Sequence, residues 1–155
     1  MKSTEHWLVH DHSHHERLLG DCMEAADIDD WWALDRAFTE LVKILKHHMA
    51  QEEEVLFPAY ESKPNASCKP TDSLRKEHDR IVFYLHALLN SIKERDHEKA
   101  MDALLSLQPI MIHHHETEEE VFLPMASHIL FAEREQLSRD IEEYDSAVSS
   151  RDWGF

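Results

Sequence analysis

Two stretches of the chain, HMAQEEEVLFP at residues 48–58 and HHETEEEVFLP at residues 114–124, are nearly the same sequence. Aligned with an offset of 66 residues, they are identical at six of their eleven positions. In each stretch a histidine is followed four residues later by a glutamate; the pairs are His48 with Glu52 and His114 with Glu118. On an α-helix this spacing places both side chains on one face, one turn apart. The repeated pair therefore predicts a helical protein with a two-metal site.

The composition is typical of one helical domain spanning residues 1–155. With 2 glycines, 5 prolines and 42% hydrophobic residues, the chain has little turn-forming sequence and enough apolar sequence for one core. No segment of useful length alternates between apolar and polar residues, so we expect no sheet. The formal net charge of −16 opposes binding to nucleic acid phosphates or anionic lipid. The 14 histidines are more than a helical fold needs, which points to metal binding.

The cysteines and the N-terminal sequence favour a soluble, cytoplasmic protein. Cys22 and Cys68 are far apart and match no CxxC spacing, so they fit reduced thiols better than a disulfide framework. The first twenty residues lack the uninterrupted apolar stretch of a signal peptide. No span approaches the length needed to cross a membrane. We therefore expect no association with a membrane.

Apolar periodicity and turn residues predict an all-α, up-down four-helix bundle with a core over about residues 4–130. The first predicted helix extends from Ser3 or Thr4 to about Ala26, and the second from Trp31 to Pro58, where it should kink or end. The third extends from Asp72 or Ser73 to the turn at Arg95, and the fourth begins at a cap at Asp96 and bends near Pro109 and Pro124. A short, charged fifth helix over about 133–149 precedes a frayed tail. This order places two similar helix pairs side by side.

Helical periodicity selects candidate ligands from the many histidines. His48 and His114 continue apolar stripes, whereas their neighbours His47 and His113 have no glutamate four residues on. His78 continues the apolar stripe of the third helix. A buried carboxylate on such a stripe needs a cation. The predicted metal ligands are His15, His48, Glu52, His78, His114 and Glu118.

Two alternatives remain open in this selection. The first-helix sequence starting at His15 (HERL) matches the third-helix sequence starting at His78 (HDRI) with an offset of 63, which selects His15. His12, three residues earlier, shares enough of the helix face to be an alternative ligand or a group that supports one. On the fourth helix His115 with Glu119 is a rival pair, which the register of the repeat disfavours. The other glutamates of the two EEE runs are expected on solvated helix faces.

With these motifs the chain resembles the hemerythrin-like family, the His-His-Glu cation-binding four-helix bundles, over about residues 4–130. In that family the site is a carboxylate-bridged di-iron centre. The resemblance implies two iron ions with a bridging oxo or hydroxo ligand, one iron held by His15 and His48, the other by His78 and His114, with Glu52 and Glu118 bridging them. Imidazole and carboxylate ligands also suit zinc and manganese, so the residue types alone do not select the metal.

The chain departs from the oxygen-carrying members of that family in two ways. The carriers have a further histidine four residues before the third-helix ligand, where this chain has Leu74. Their fourth-helix carboxylate is an aspartate five residues after its histidine, where this chain has Glu118 four residues after His114. A carrier leaves one iron open, whereas four histidines and two glutamates would leave room at both metals. This difference counts against simple reversible oxygen carriage and keeps redox turnover as an alternative.

The sequence thus predicts a non-heme di-iron protein that binds a small diatomic or peroxide ligand, such as dioxygen, nitric oxide or peroxide, for binding or sensing. The alternative is a di-iron oxidoreductase that decomposes peroxide or reduces nitric oxide, and the sequence does not decide whether the protein is an enzyme. Metal storage and a structural zinc pair rank lower. A protein partner or a homodimer is compatible with aromatic residues at Trp31–Trp32 and Trp153–Phe155.

Overall fold

The computed structural model describes residues 3–145, 149 and 151–155, most of which are helical. The helices are α1 (Thr4–Asp27), α2 (Trp31–Gln51), α3 (Phe57–Glu61), α4 (Lys69–Glu94), α5 (His97–Thr117), α6 (Leu123–Ile129) and α7 (Arg134–Glu142). A π-helical turn, Glu52–Leu56, joins α2 to α3, a second, Glu118–Phe122, joins α5 to α6, and a 3-10 turn, Phe131–Glu133, precedes α7. The described residues include no β-strand, so the predicted all-α class is confirmed.

Side-chain caps fix the starts of three long helices. Ser3, Asp30 and Asp96 each accept a hydrogen bond from the backbone N–H three residues on, at the starts of α1, α2 and α5. The predicted caps at Ser3 and Asp96 are therefore confirmed. By contrast, α4 begins at Lys69, earlier than predicted. Pro70 lies in its first turn, where a missing N–H breaks no helical hydrogen bond.

Pro58 and Pro124, which end the two repeated stretches, lie just beyond π-helical turns. The N–H of Phe57 bonds to the carbonyl of Glu52, and the N–H of Leu123 bonds to that of Glu118, five residues back in both cases. The wider turn carries the helical path past a proline, which has no N–H to donate. Such turns often occur at functional sites. Here each one begins at the glutamate of a His-x-x-x-Glu pair.

The four long helices form a ring of neighbours. Helix α1 packs on α2 and α5, and α4 packs on α5 and α2. Short connections between α1 and α2, and between α4 and α5, make these neighbours antiparallel, as in an up-down bundle. The apolar core has two clusters, one around Leu41 and Leu107 and the other around Leu56 and Phe122. The buried polar residues of the repeated motifs lie between these clusters along the helices.

The C-terminal part differs from the prediction. The fifth helix expected over 133–149 is α7, which ends at Glu142, and residues 146–148 of that span lie outside the described residues. Residues 151–155, which were expected to be frayed, are held on the bundle: Trp153 is only 7% exposed and packs in the first apolar cluster. The Nε2–H of His86 donates to the Trp153 carbonyl at 2.6 Å, and this bond anchors the segment on α4.

None of the helices in the described ranges combines the length and apolarity that a membrane-spanning helix requires.

Candidate metal centre

The two His-x-x-x-Glu pairs face each other at the centre of the bundle. The Nε2 atom of His48 lies 3.3 Å from Glu52 Oε1, and the Nε2 atom of His114 lies 3.0 Å from Glu118 Oε1. His78, from α4, brings its Nε2 atom to 3.2 Å from the same Glu52 oxygen. The five residues are buried. The structure therefore brings together five of the six predicted ligands.

The first-helix histidine at this centre is His12. Its Nε2 atom lies 3.1 Å from Glu118 Oε1. Two sets of residues each bring potential metal-ligand atoms within 4.8 Å of one another. One set is Glu52, His78, His114 and Glu118, and the other is His12, His48 and Glu118. The predicted ligand His15 belongs to neither set. It is buried beside the centre, where its Nδ1 atom lies 3.4 Å from His115 Nε2.

The sequence did contain a signal for His12. The offset of 66 that aligns the two motifs also aligns His12 with His78 and Asp11 with Glu77. The match that selected His15 used an offset of 63, which differs from that of the motifs. When no residue is inserted or deleted between the two halves of a repeat, one offset applies to all of its helices. The offset of 66 therefore applies to the first helix as well, where it selects His12.

A carboxylate holds the outer ring nitrogen of every histidine in the two sets. The Nδ1 contacts are His12 to Glu119 at 3.2 Å, His48 to Asp11 at 2.8 Å, His78 to Glu53 at 2.6 Å and His114 to Glu77 at 2.7 Å. An Nδ1–H that donates to a carboxylate leaves the lone pair on Nε2, which is the arrangement typical of metal-binding histidines. The four imidazoles are thus oriented with Nε2 toward the centre.

Two of these carboxylates were expected on solvated helix faces. Glu53 instead contacts His78, and Glu119 contacts His12, so each supports a histidine of the neighbouring helix. Glu53 also accepts two hydrogen bonds from the guanidinium of Arg151, at 2.9 and 2.7 Å. Sequence periodicity missed these roles because the π-helical turn rotates the residues after Glu52 and Glu118 relative to an ideal α-helix.

Buried polar atoms without hydrogen-bond partners converge on the same point. Within the described part of the chain they include both carboxylate oxygens of Glu52 and Glu118 and the Nε2 atoms of His12, His48 and His78. Both glutamates are 0% exposed. A buried carboxylate without a partner is strongly unfavourable, and such atoms call for an ion. The donor set of imidazole nitrogens and carboxylate oxygens fits a transition-metal cation.

In the absence of a cation, protons have to balance the buried carboxylates. Burial lowers the pKa of His48, but the carboxylates of Glu52 and Asp11 outweigh it and raise this pKa to about 9. Burial also opposes protonation of His78, whose pKa is nevertheless raised by Glu52 and Glu53. Burial lowers the pKa of His12 to about 4. Metal binding at this centre would therefore displace protons from imidazoles.

Comparison with known families agrees with this geometry. The family model of the hemerythrin HHE cation binding domain matches residues 3–126. The chain belongs to the hemerythrin family. Neither a curated protein nor a solved structure matches the chain. The match includes the four centre histidines and both glutamates, so this hemerythrin domain has a buried cluster suited to metal binding.

The hemerythrin domain has two further buried histidines beside the centre. The Nδ1 atom of His115 lies 2.9 Å from Glu16 Oε2, and its Nε2 atom is the one that faces His15. Both nitrogens of His115 thus face other side chains, which does not favour it as the fourth-helix ligand over His114. Burial lowers the pKa of His115 to about 3 and that of His15 well below its usual value, so both rings are neutral.

Proposed function

We propose that this hemerythrin domain holds two iron ions in a carboxylate-bridged centre and takes up a small ligand, such as dioxygen, nitric oxide or peroxide, for binding or sensing. One observation carries the proposal: unpaired, fully buried carboxylates meet imidazole nitrogens whose rings are oriented from behind by four other carboxylates. An oxo or hydroxo bridge belongs to the proposal. Zinc and manganese are the alternative metals, because this donor set does not select among the three.

The contacts of the two glutamates support a ligand assignment. Glu52 Oε1 lies near His48 and His78, and Glu118 Oε1 lies near His12 and His114. Each carboxylate therefore contacts one histidine from each helix pair, as a bridging ligand would. We assign His12 and His48 to one ion, His78 and His114 to the other, and Glu52 and Glu118 to both. In this assignment His12 replaces His15 of the ligand set predicted from the sequence.

The protein supplies orientation and a dry environment for this chemistry. Two imidazoles and two shared carboxylates leave coordination positions for a small ligand. Bound iron would supply Lewis acidity and electrons. Phe57 stacks on the His78 ring with centroids 5.9 Å apart and contacts Phe122 at 5.5 Å. These rings cover the centre on the side of the second apolar cluster, where they would exclude bulk water.

The experiment is to load the protein with ferrous iron under nitrogen and to follow its optical and electron paramagnetic resonance spectra as dioxygen, nitric oxide or hydrogen peroxide is added. A spectral change that reverses when the gas is removed supports binding or sensing. Repeated consumption of peroxide or nitric oxide would support the alternative, a di-iron oxidoreductase. An iron-loaded protein that responds to none of the three ligands would refute the proposal.

The ligand assignment has its own test. His12→Ala should lose iron, because its Nε2 is one of the converging unpaired atoms, whereas His15→Ala should retain two irons per chain. The exposed His113→Ala serves as the control for removal of a histidine from the repeated segment. Iron loss in His15→Ala with full retention in His12→Ala would restore the ligand set predicted from the sequence.

A further inference from the structure

The interface between α1 and α5 differs from the equivalent interface between α2 and α4 in one pair of buried side chains. The offset of 66 relates His15 to Ile81, and His115 to Met49. All four residues are buried, with exposed fractions of 1 or 2%. The interface between α1 and α5 thus has two imidazoles where the equivalent interface between α2 and α4 has an aliphatic and a thioether side chain. These imidazoles have no role in the ligand assignment proposed above.

Hydrogen bonding fixes how this histidine pair is protonated. The ionised carboxylate of Glu16 can only accept, so His115 donates to it through Nδ1–H, at 2.9 Å. The Nε2 atom of a neutral His115 then accepts, and the Nδ1–H of His15 points at it, at 3.4 Å. In this tautomer the Nε2 atom of His15 carries the lone pair. His15 can therefore accept a hydrogen bond through Nε2 but cannot donate one.

The ring of His15 lies against the histidines of one proposed metal ion. Its centroid is 4.9 Å from that of His48, and the two rings meet edge to face. The distance to the His12 centroid is 6.0 Å. His115 stacks on His12, with centroids 3.9 Å apart. Both members of the pair are therefore next to the ion assigned to His12 and His48.

We propose that His15 and His115 form a subsite for a small protonated oxygen ligand, such as hydrogen peroxide, beside the ion held by His12 and His48. The O–H of such a ligand donates to His15, and His115 holds His15 in the accepting tautomer. Nitric oxide has no proton to donate and gains nothing from the pair. The apolar counterparts, Ile81 and Met49, offer no equivalent acceptor. This inference rests on the proposed two-iron centre and specifies which ligand it favours.

The test replaces His15 by its counterpart in the repeat, as His15→Ile, and uses iron-loaded protein. The rate constant of the optical change after mixing with hydrogen peroxide should fall about fivefold, the effect of losing one ordinary hydrogen bond. The equilibrium affinity for nitric oxide should change less than about twofold, and the iron content should stay at two per chain. Met49→Leu, a buried substitution of similar volume at the counterpart of His115, should leave all three quantities unchanged.

His115→Met provides a second variant that leaves His15 in place but removes the acceptor for its Nδ1–H. It should also lower the rate constant with peroxide and leave the affinity for nitric oxide unchanged. If His15→Ile does not fold, His115→Met alone tests the subsite. An unchanged peroxide rate in a folded, iron-loaded variant would overturn the subsite. Equal losses for peroxide and nitric oxide, or loss of one iron from His15→Ile, would also overturn it. A wild-type protein that binds no metal would instead refute the two-iron function itself.

Discussion

Replacing Glu118 by glutamine should have opposite effects on the metal-free and the metal-loaded protein. Glu118→Gln keeps the size of the side chain and removes a charge that is fully buried, with neither carboxylate oxygen hydrogen-bonded. The new amide can donate to the Nε2 lone pairs of His12 and His114, which lie 3.1 and 3.0 Å from Glu118 Oε1. The metal-free variant should therefore be more stable than the metal-free wild type.

The magnitude follows from the cost of a buried group without a partner. Relief of that cost contributes about 1–3 kcal/mol, which for a domain of this size raises the melting temperature by about 2–10 °C. For the loaded wild type, a metal present at 100 times its dissociation constant adds about 2.7 kcal/mol to the free energy of unfolding. A tenfold loss of affinity in the variant removes about 1.3 kcal/mol of that gain.

The assay is thermal unfolding of both proteins, once with chelator and once with ferrous iron under nitrogen. Glu118→Gln should melt higher than the wild type with chelator and show a smaller increase when iron is added. Glu120→Gln, an exposed residue of the same EEE run, should change neither temperature. A variant that melts lower than the wild type to the same extent in both conditions would contradict this prediction, because Glu118 would then be stabilising the fold without a cation.

Three further predictions concern the same centre. Glu77→Gln weakens the acceptor behind His114 and should lower metal affinity by about 10–100-fold in a chelator competition, with a change below twofold counting against an orienting role. His48→Ala should remove metal and lower the melting temperature of the loaded protein, while the exposed His113→Ala should do neither; equal metal loss in both would show that the helix register is wrong. Since the pKa of His48 is raised to about 9, His48 is protonated at pH 7 and must lose that proton to bind metal. Zinc binding should therefore release protons at pH 7 and tighten as the pH rises toward 9. Calorimetry in buffers of different ionisation enthalpy measures this release, and the prediction is wrong if no protons are released.

Most of the bundle could be predicted from local signals in the sequence. The helix starts at Ser3 and Asp96 depend on a side chain and a backbone N–H three residues away, and such contacts are visible as a sequence pattern. Helix α4 begins earlier than predicted, at Lys69, because a proline in the first turn, here Pro70, is compatible with a helix start. The buried position of Trp153 could not be predicted, because its packing depends on contacts with distant parts of the chain such as His86.

The centre was predictable to the extent that it repeats in the sequence. His48 and His114 with their glutamates came directly from the duplicated motif. The choice between His12 and His15 depended on which offset was applied, since both lie on the buried face of α1. The carboxylates that orient the central histidines, such as Glu53, were missed for a physical reason. Their partners lie on neighbouring helices, and the π-helical turns change the direction in which they point.

The central claim is that the buried histidines and glutamates hold two metal ions. The most direct test is the metal content per chain, measured by elemental mass spectrometry on untagged protein purified without chelator, beside the His12→Ala variant prepared in the same way. We expect two equivalents of metal, as iron, in the wild type and a clear loss in the variant. Wild-type protein that folds but contains no stoichiometric metal, and takes up none when iron is supplied, would contradict it.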